Sequence, residues 1–237
     1  EYNGRHTIRD VGGTVLRRGL SVDFCCDIGR IENVHWHDHW WDSACHCGGV
    51  SDYMREHLEA FIFRRTDWEY VYNTFVYPCR IGYRFAQTQA PDVGNGPDGP
   101  NGNFLGIGAD LAQVAVLVEH AQFNGLAITN GEFVGLTGAT PVGLRVEPTC
   151  AGTVRLSNCS FWGEFTHVVE SHGAHVTALE NCALQVWGDR YRQHAMVVAD
   201  AGKLQITGCS FATVAVPPAR DRAQLRECRH LVPALNV

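Results

Sequence analysis

The chain has 237 residues, 45% hydrophobic and 19% charged, enough to bury a core as one large domain and too apolar for a disordered tail. A formal net charge of -6, with arginines scattered and Lys203 the only lysine, argues against a nucleic-acid groove. No apolar run approaches the ~20 residues that span a bilayer, so neither nucleic acid nor membrane is an expected partner.

Residues 2–23 already read as strand and turn, without a charged-then-apolar export segment before them. We therefore expect a fragment of a longer chain, with any export signal upstream. The phrase Asn33-Val34-His35-Trp36 follows an inward Ile31, and a looser copy stands at Asn73-Thr74-Phe75-Val76. Between them lies an insertion at about 37–60 with helical character over 51–60. A second insertion at about 87–102, rich in Gly, Pro, Asn and Asp, reads as a mobile surface loop.

The second half is regular. Copies of one phrase begin at Asn130, Asn158, Asn181 and Gly208, spaced 23 to 28 residues apart, each preceded by two short apolar strands with a turn between. The strands fall at 114–118 and 126–129, 142–146 and 154–156, 168–169 and 176–179, then 196–199 and 204–207. None is long enough to bury a face alone, so stacking is the only route to a core. Cys159, Cys182 and Cys209 recur in register, and of the ten cysteines these three read as an inward ladder of reduced thiols rather than disulfide partners. The pattern predicts an all-β parallel β-helix, a solenoid with strands stacked ~4.8 Å apart, forming a single domain over 1–237.

These Asn-Cys-Ser-Phe repeats resemble the pectate-lyase-like superfamily of parallel β-helices, and the resemblance implies that the expected all-β solenoid is a right-handed parallel β-helix. So do the phrases Gly125-Leu126-Ala127-Ile128-Thr129-Asn130-Gly131-Glu132-Phe133, Asp27-Ile28-Gly29-Arg30-Ile31-Glu32-Asn33-Val34-His35 and Arg65-Thr66-Asp67-Trp68-Glu69-Tyr70-Val71, which look like those of uncharacterised bacterial members. The resemblance implies a secreted protein that handles polysaccharide, with homotrimers frequent among similar folds. It does not select a reaction, since the group includes lyases, hydrolases, epimerases and phage tailspikes. The lyase calcium cluster and arginine base cannot be placed on this chain.

A glycoside hydrolase is the leading expectation. Alternatives are a non-catalytic glycan-binding or structural β-helix of adhesin or tail type, then a polysaccharide lyase. Counting eleven residues back from the repeat phrase aligns Glu119, Glu147 and Glu170, a ladder that could supply the ~5–5.5 Å or ~6.5–9.5 Å carboxylate separations of retaining and inverting enzymes. Strand-end carboxylates also serve as plain turn caps.

Alternation puts Asp67 and Glu69 on one face, opposite Trp68. The expected catalytic set is Asp67 and Glu69, then Glu119 and Glu132, with His35 and Asp38 as auxiliaries. Substrate contacts are expected from Trp40, Trp41, Trp68 and Tyr70, with Arg64 and Arg65 beside the carboxylates. His35-Trp36-His37-Asp38-His39 and Cys45-His46-Cys47 match no zinc frame, so no metal ligands and no cofactor are assigned, a divalent cation such as calcium being the open alternative. The sequence-level test is whether two carboxylates and an exposed aromatic converge in one cleft beside the 37–60 insertion.

Overall fold

A computed structural model describes residues 4–45, 48–90, 99–135, 140–173, 175–187, 194–214 and 225–227. It is all-β apart from two short helices, and its strands stack in parallel as successive coils, consistent with a β-solenoid.

The first coils are β1 (Thr7–Gly13) and β2 (Arg18–Val22), then β3 (Arg30–His37), α1 (His39–Cys45), α2 (Val50–His57) and β4 (Glu59–Phe63). The third holds β5 (Thr66–Tyr77) and β6 (Cys79–Phe85), and the fourth β7 (Pro100–Leu105) and β8 (Gly108–Val118). Three-strand coils follow, β9 (Leu126–Thr129), β10 (Glu132–Gly135) and β11 (Val142–Val146), then β12 (Thr153–Ser157), β13 (Ser160–Gly163) and β14 (His167–Ser171). Next come β15 (Val176–Glu180), β16 (Ala183–Trp187) and β17 (Val197–Ala199), and last β18 (Lys203–Thr207) and β19 (Ser210–Val214), on which β20 (Leu225–Glu227) lies antiparallel.

Each strand pairs with its counterpart one coil away, which gives three faces. The first runs through β7, β9, β12, β15 and β18, the second through β10, β13, β16 and β19, and the third through β2, β4, β6, β11, β14 and β17. Long strands such as β3, β5 and β8 turn the corner between faces without breaking.

That corner explains why the repeat phrase opens on Asn or Gly. Asn33, Asn73, Asn130, Asn158 and Asn181 have φ between 50° and 55°, and Gly208 has 65°, a left-handed backbone that only Gly and Asn/Asp adopt at low cost. Two further members complete the column, Asp10 (φ 57°) and Gly106 (φ 63°). The side chains also bond from coil to coil: Asn33 Nδ2 donates to Asp10 Oδ1 at 2.9 Å, Asn73 Nδ2 to Asn33 Oδ1 at 3.2 Å and Asn158 Nδ2 to Asn130 Oδ1 at 2.7 Å.

Inside, apolar columns fill the tube. Phe133, Phe161, Leu184 and Phe211 lie over one another in register, with Phe133 and Phe161 ring centroids 5.0 Å apart. Phe61 stacks on Tyr83 at 4.9 Å, and Trp36 on Phe61 at 6.2 Å. Cys159, Cys182 and Cys209 are free thiols stacked as predicted, the backbone N–H of Cys182 donating to Cys209 Sγ at 3.4 Å.

Three expectations need correction. Helix α2 stops at His57 because Leu58 turns extended (ψ 123°) and Glu59 begins β4, which must pair with β2. The second insertion ends before Pro100, where β7 already supplies a strand to its coil, and residues 91–98 lie outside the described residues. The carboxylate ladder does not form as counted. The turn 172–175 is shorter than the turn 147–152, so Glu170 pairs in register with Arg145 and Ser171 with Val146, leaving His172 rather than Glu170 to follow Glu147.

Candidate functional site

The second face carries two outward columns, separated by one inward position. One contains His35, Phe75, Gly108, Glu132, Ser160, Ala183 and Ser210 in register. The other begins at His37 and Tyr77, whose rings stack at 4.8 Å and 27°, and continues through Val134, Trp162 and Gln185. Here a cleft of about 260 Å³ is lined by Tyr77, Asp110, Leu111, Val134, Gly135, Trp162, Glu164 and Trp187.

Asp110 reaches this cleft through an irregularity. Phe133 pairs with Ala109 and Gly135 with Ala112, so β8 carries one more residue than β10 between those pairs. The extra residue sits at Asp110–Leu111, and Leu111 has a left-handed φ of 49°, costly for a branched side chain. Such bulges aim side chains out of a regular face. Burial pushes the Asp110 carboxyl above its ordinary range, against the opposing pull of the Leu111 backbone N–H and nearby His37. Trp162 and Trp187 hold their rings 5.4 Å apart at 42°. Glu164 follows β13 directly, at the same coil end as Trp187, because Gly163 pairs with Val186.

The predicted site residues separate into groups. His35 and Glu132 share the first outward column, and Asp38 begins the turn into α1, its Oδ1 2.9 Å from His37 Nδ1. Trp40 and Trp41 on α1 are both half-exposed and line a shallow cleft of about 340 Å³ with Thr14, the Trp40 ring lying edge-on to His37 at 6.1 Å. These lie along the second face with the Asp110 cleft.

Asp67 and Glu69 lie elsewhere. Burial alternates from Trp68 onward, Trp68 (59%) and Tyr70 exposed and Glu69 and Val71 buried, so Glu69 points inward; Trp68 has a φ of 55° and the register with β7 shifts between Thr66 and Glu69. Asp67 is held by its neighbours: Arg65 Nη2 donates to Oδ2 at 2.8 Å and Gln122 Nε2 to Oδ1 at 2.7 Å. Arg64 is buried and donates to Ser21 Oγ at 2.9 Å. Glu119, beyond the third face, accepts two bonds from Arg84, at 2.8 and 3.0 Å. Tyr70 and Tyr72 form, with Trp68, an exposed stripe along β5 on the first face, beside Arg30 and Glu32.

Asp110, Glu164, Trp162, Trp187 and Tyr77 were not among the predicted site residues. Alternation does place Trp162 outward, next to inward Phe161, but a one-residue bulge leaves no mark that could have flagged Asp110. Of the run Cys45-His46-Cys47, to which no metal is assigned, His46 and Cys47 lie outside the described residues; among those described, the group that could hold a metal is His6, Cys25 and Glu69, whose donor atoms all lie within 4.8 Å of one another. No family model matches this chain, and neither a curated protein nor a solved structure gives a significant match.

Proposed function

We propose that this chain is a secreted carbohydrate-active protein on a right-handed parallel β-helix of the pectate-lyase-like kind, and that it hydrolyses a polysaccharide laid across the second face. The observation that carries the proposal is the convergence of Asp110 and Glu164 with Trp162, Trp187 and Tyr77 in one cleft. Sugar rings pack their C–H faces on indole surfaces while their hydroxyls bond to carboxylates. The raised Asp110 carboxyl suits a general acid that protonates the leaving oxygen, with Glu164 or outward-facing Glu132 as the second carboxylate.

Among the described residues the lining holds no Lys or Arg, which favours a neutral glycan over the uronates that a lyase attacks. Glycan-array binding followed by product analysis on the best ligand tests the proposal. Shortened products with new reducing ends are expected, unsaturated products would mean a lyase, and tight binding without cleavage would favour the adhesin-type reading. That second reading draws on the Trp68–Tyr70–Tyr72 stripe, an exposed aromatic strip with Glu32 in register beside Tyr72.

A further inference from the structure

Where β1, β3 and β5 enter the first face, the pairings Thr7 with Arg30 and Arg30 with Tyr70 put His6, Gly29 and Glu69 in one column just before them, on three successive coils. His6 and Glu69 meet across the glycine: His6 Nε2 lies 2.8 Å from Glu69 Oε1. A Cβ on Gly29 would fall 2.2 Å from His6 Cε1 and 2.4 Å from Glu69 Oε2, so the space between the two side chains exists only because that position has no side chain. Cys25, fully buried at the turn into the second coil and bridged to Thr66, brings its Sγ to the same point.

The polar atoms of this cluster are incompletely satisfied. The Glu69 side chain is fully buried and among the described residues its Oε2 has no hydrogen-bond partner, and neither does His6 Nδ1, although the imidazole is only 11% exposed. A buried carboxylate oxygen left unpaired is costly and calls for a compensating charge.

We propose that His6, Cys25 and Glu69 form a binding site for a divalent transition metal of the zinc type, which ties the first coil to the third. The donor set is one imidazole nitrogen, one sulfur and one carboxylate oxygen, a mixture that suits zinc and disfavours calcium or magnesium, which take oxygen alone. Metal–donor distances of ~2.0–2.3 Å need donors roughly 3–4 Å apart, so the widest pair of the cluster closes by about 1–2 Å. On binding, the Cys25 thiol loses its proton to solvent. Thiolate, carboxylate and neutral imidazole then sum with the dication to zero charge, and the carboxylate gains the partner it lacks.

The test is cobalt titration of the whole chain after chelator treatment, with cobalt as an absorbing substitute for zinc. One equivalent is expected to give thiolate-to-cobalt charge-transfer absorption, to be displaced by zinc, and zinc is expected to raise the melting temperature of the stripped protein. Cys25→Ser is expected to abolish the absorption, Gly29→Ala to weaken binding more than tenfold by filling the gap, and Cys150→Ser, at a buried thiol elsewhere, to leave it intact. Absence of the absorption in the parent protein, or its survival in Cys25→Ser, overturns the proposal. Should Cys25→Ser not fold, the parent titration together with Gly29→Ala decides.

Discussion

Trp162 and Trp187 stand on successive coils with ring centroids 5.4 Å apart and a mutual tilt of 42°, forming one wall of the cleft that Asp110 enters. Trp162 is about one-third exposed and has open cleft before it rather than core, so its surface is available to a ligand. In the proposed function these two adjacent indoles are the surface on which sugar rings pack.

Replacing Trp162 by Ala therefore removes ligand contact without opening the core. We expect glycan affinity to fall roughly tenfold, about 1–2 kcal/mol, with a change in melting temperature of only a few degrees. Isothermal titration with the best array ligand, alongside a thermal scan, separates the two quantities.

Asp110 links the cleft to stability through pH. Its folded-state pKa is raised by burial, so the folded protein holds a proton there that the unfolded chain has released. That contribution is fully present below the unfolded value of 3.8 and is lost as pH rises through the higher folded value. Asp110→Asn is therefore expected to raise the melting temperature at pH 7 and to change it little at pH 3. Equal shifts at both pH values would show that burial does not govern this carboxyl.

The corner column makes a separate prediction. Asn158 combines a φ of 54° with a donated bond to Asn130 Oδ1 at 2.7 Å. Asn158→Ala keeps neither feature and is expected to cost about 2–3 kcal/mol, the left-handed penalty plus one hydrogen bond. Asn158→Gly keeps the backbone and loses only the amide, so about 1 kcal/mol is expected. Urea denaturation of the two variants gives the difference directly.

Glu119 is held by Arg84 on both carboxylate oxygens, and Glu59 accepts from Arg84 Nη1 at 2.8 Å, so these groups form a structural ion network along the third face. Glu119→Gln is expected to destabilise by about 1 kcal/mol and to leave glycan cleavage within twofold of the parent. Turnover assays and melting curves on one preparation check both statements.

The stacked coils were legible in the sequence because each obeys a strict local rule. Asn33, Asn73, Asn130, Asn158 and Asn181 mark a corner that few residues can turn, and the inward Phe and Cys positions follow at fixed offsets. Gly106 and Asp10 turn the same corner but lack the Cys-x-Phe context, so they passed unnoticed. The site was less legible because its residues depend on exceptions to alternation. A left-handed Leu111 accompanies the bulge that brings Asp110 outward, and a short turn moves Glu170 beside Arg145, while alternation sets Glu69 opposite Trp68 without telling that its side is the inside of the tube. His35, Asp38, Glu132, Trp40 and Trp41 needed no such exception, and they do lie along the second face.

The most direct measurement compares binding and cleavage in Asp110→Asn, using the glycan that the parent protein cleaves. The account predicts ligand affinity within about threefold of the parent and a turnover rate at least ~100-fold lower, the contribution of a positioned general acid. Undiminished turnover in a folded Asp110→Asn protein would contradict it.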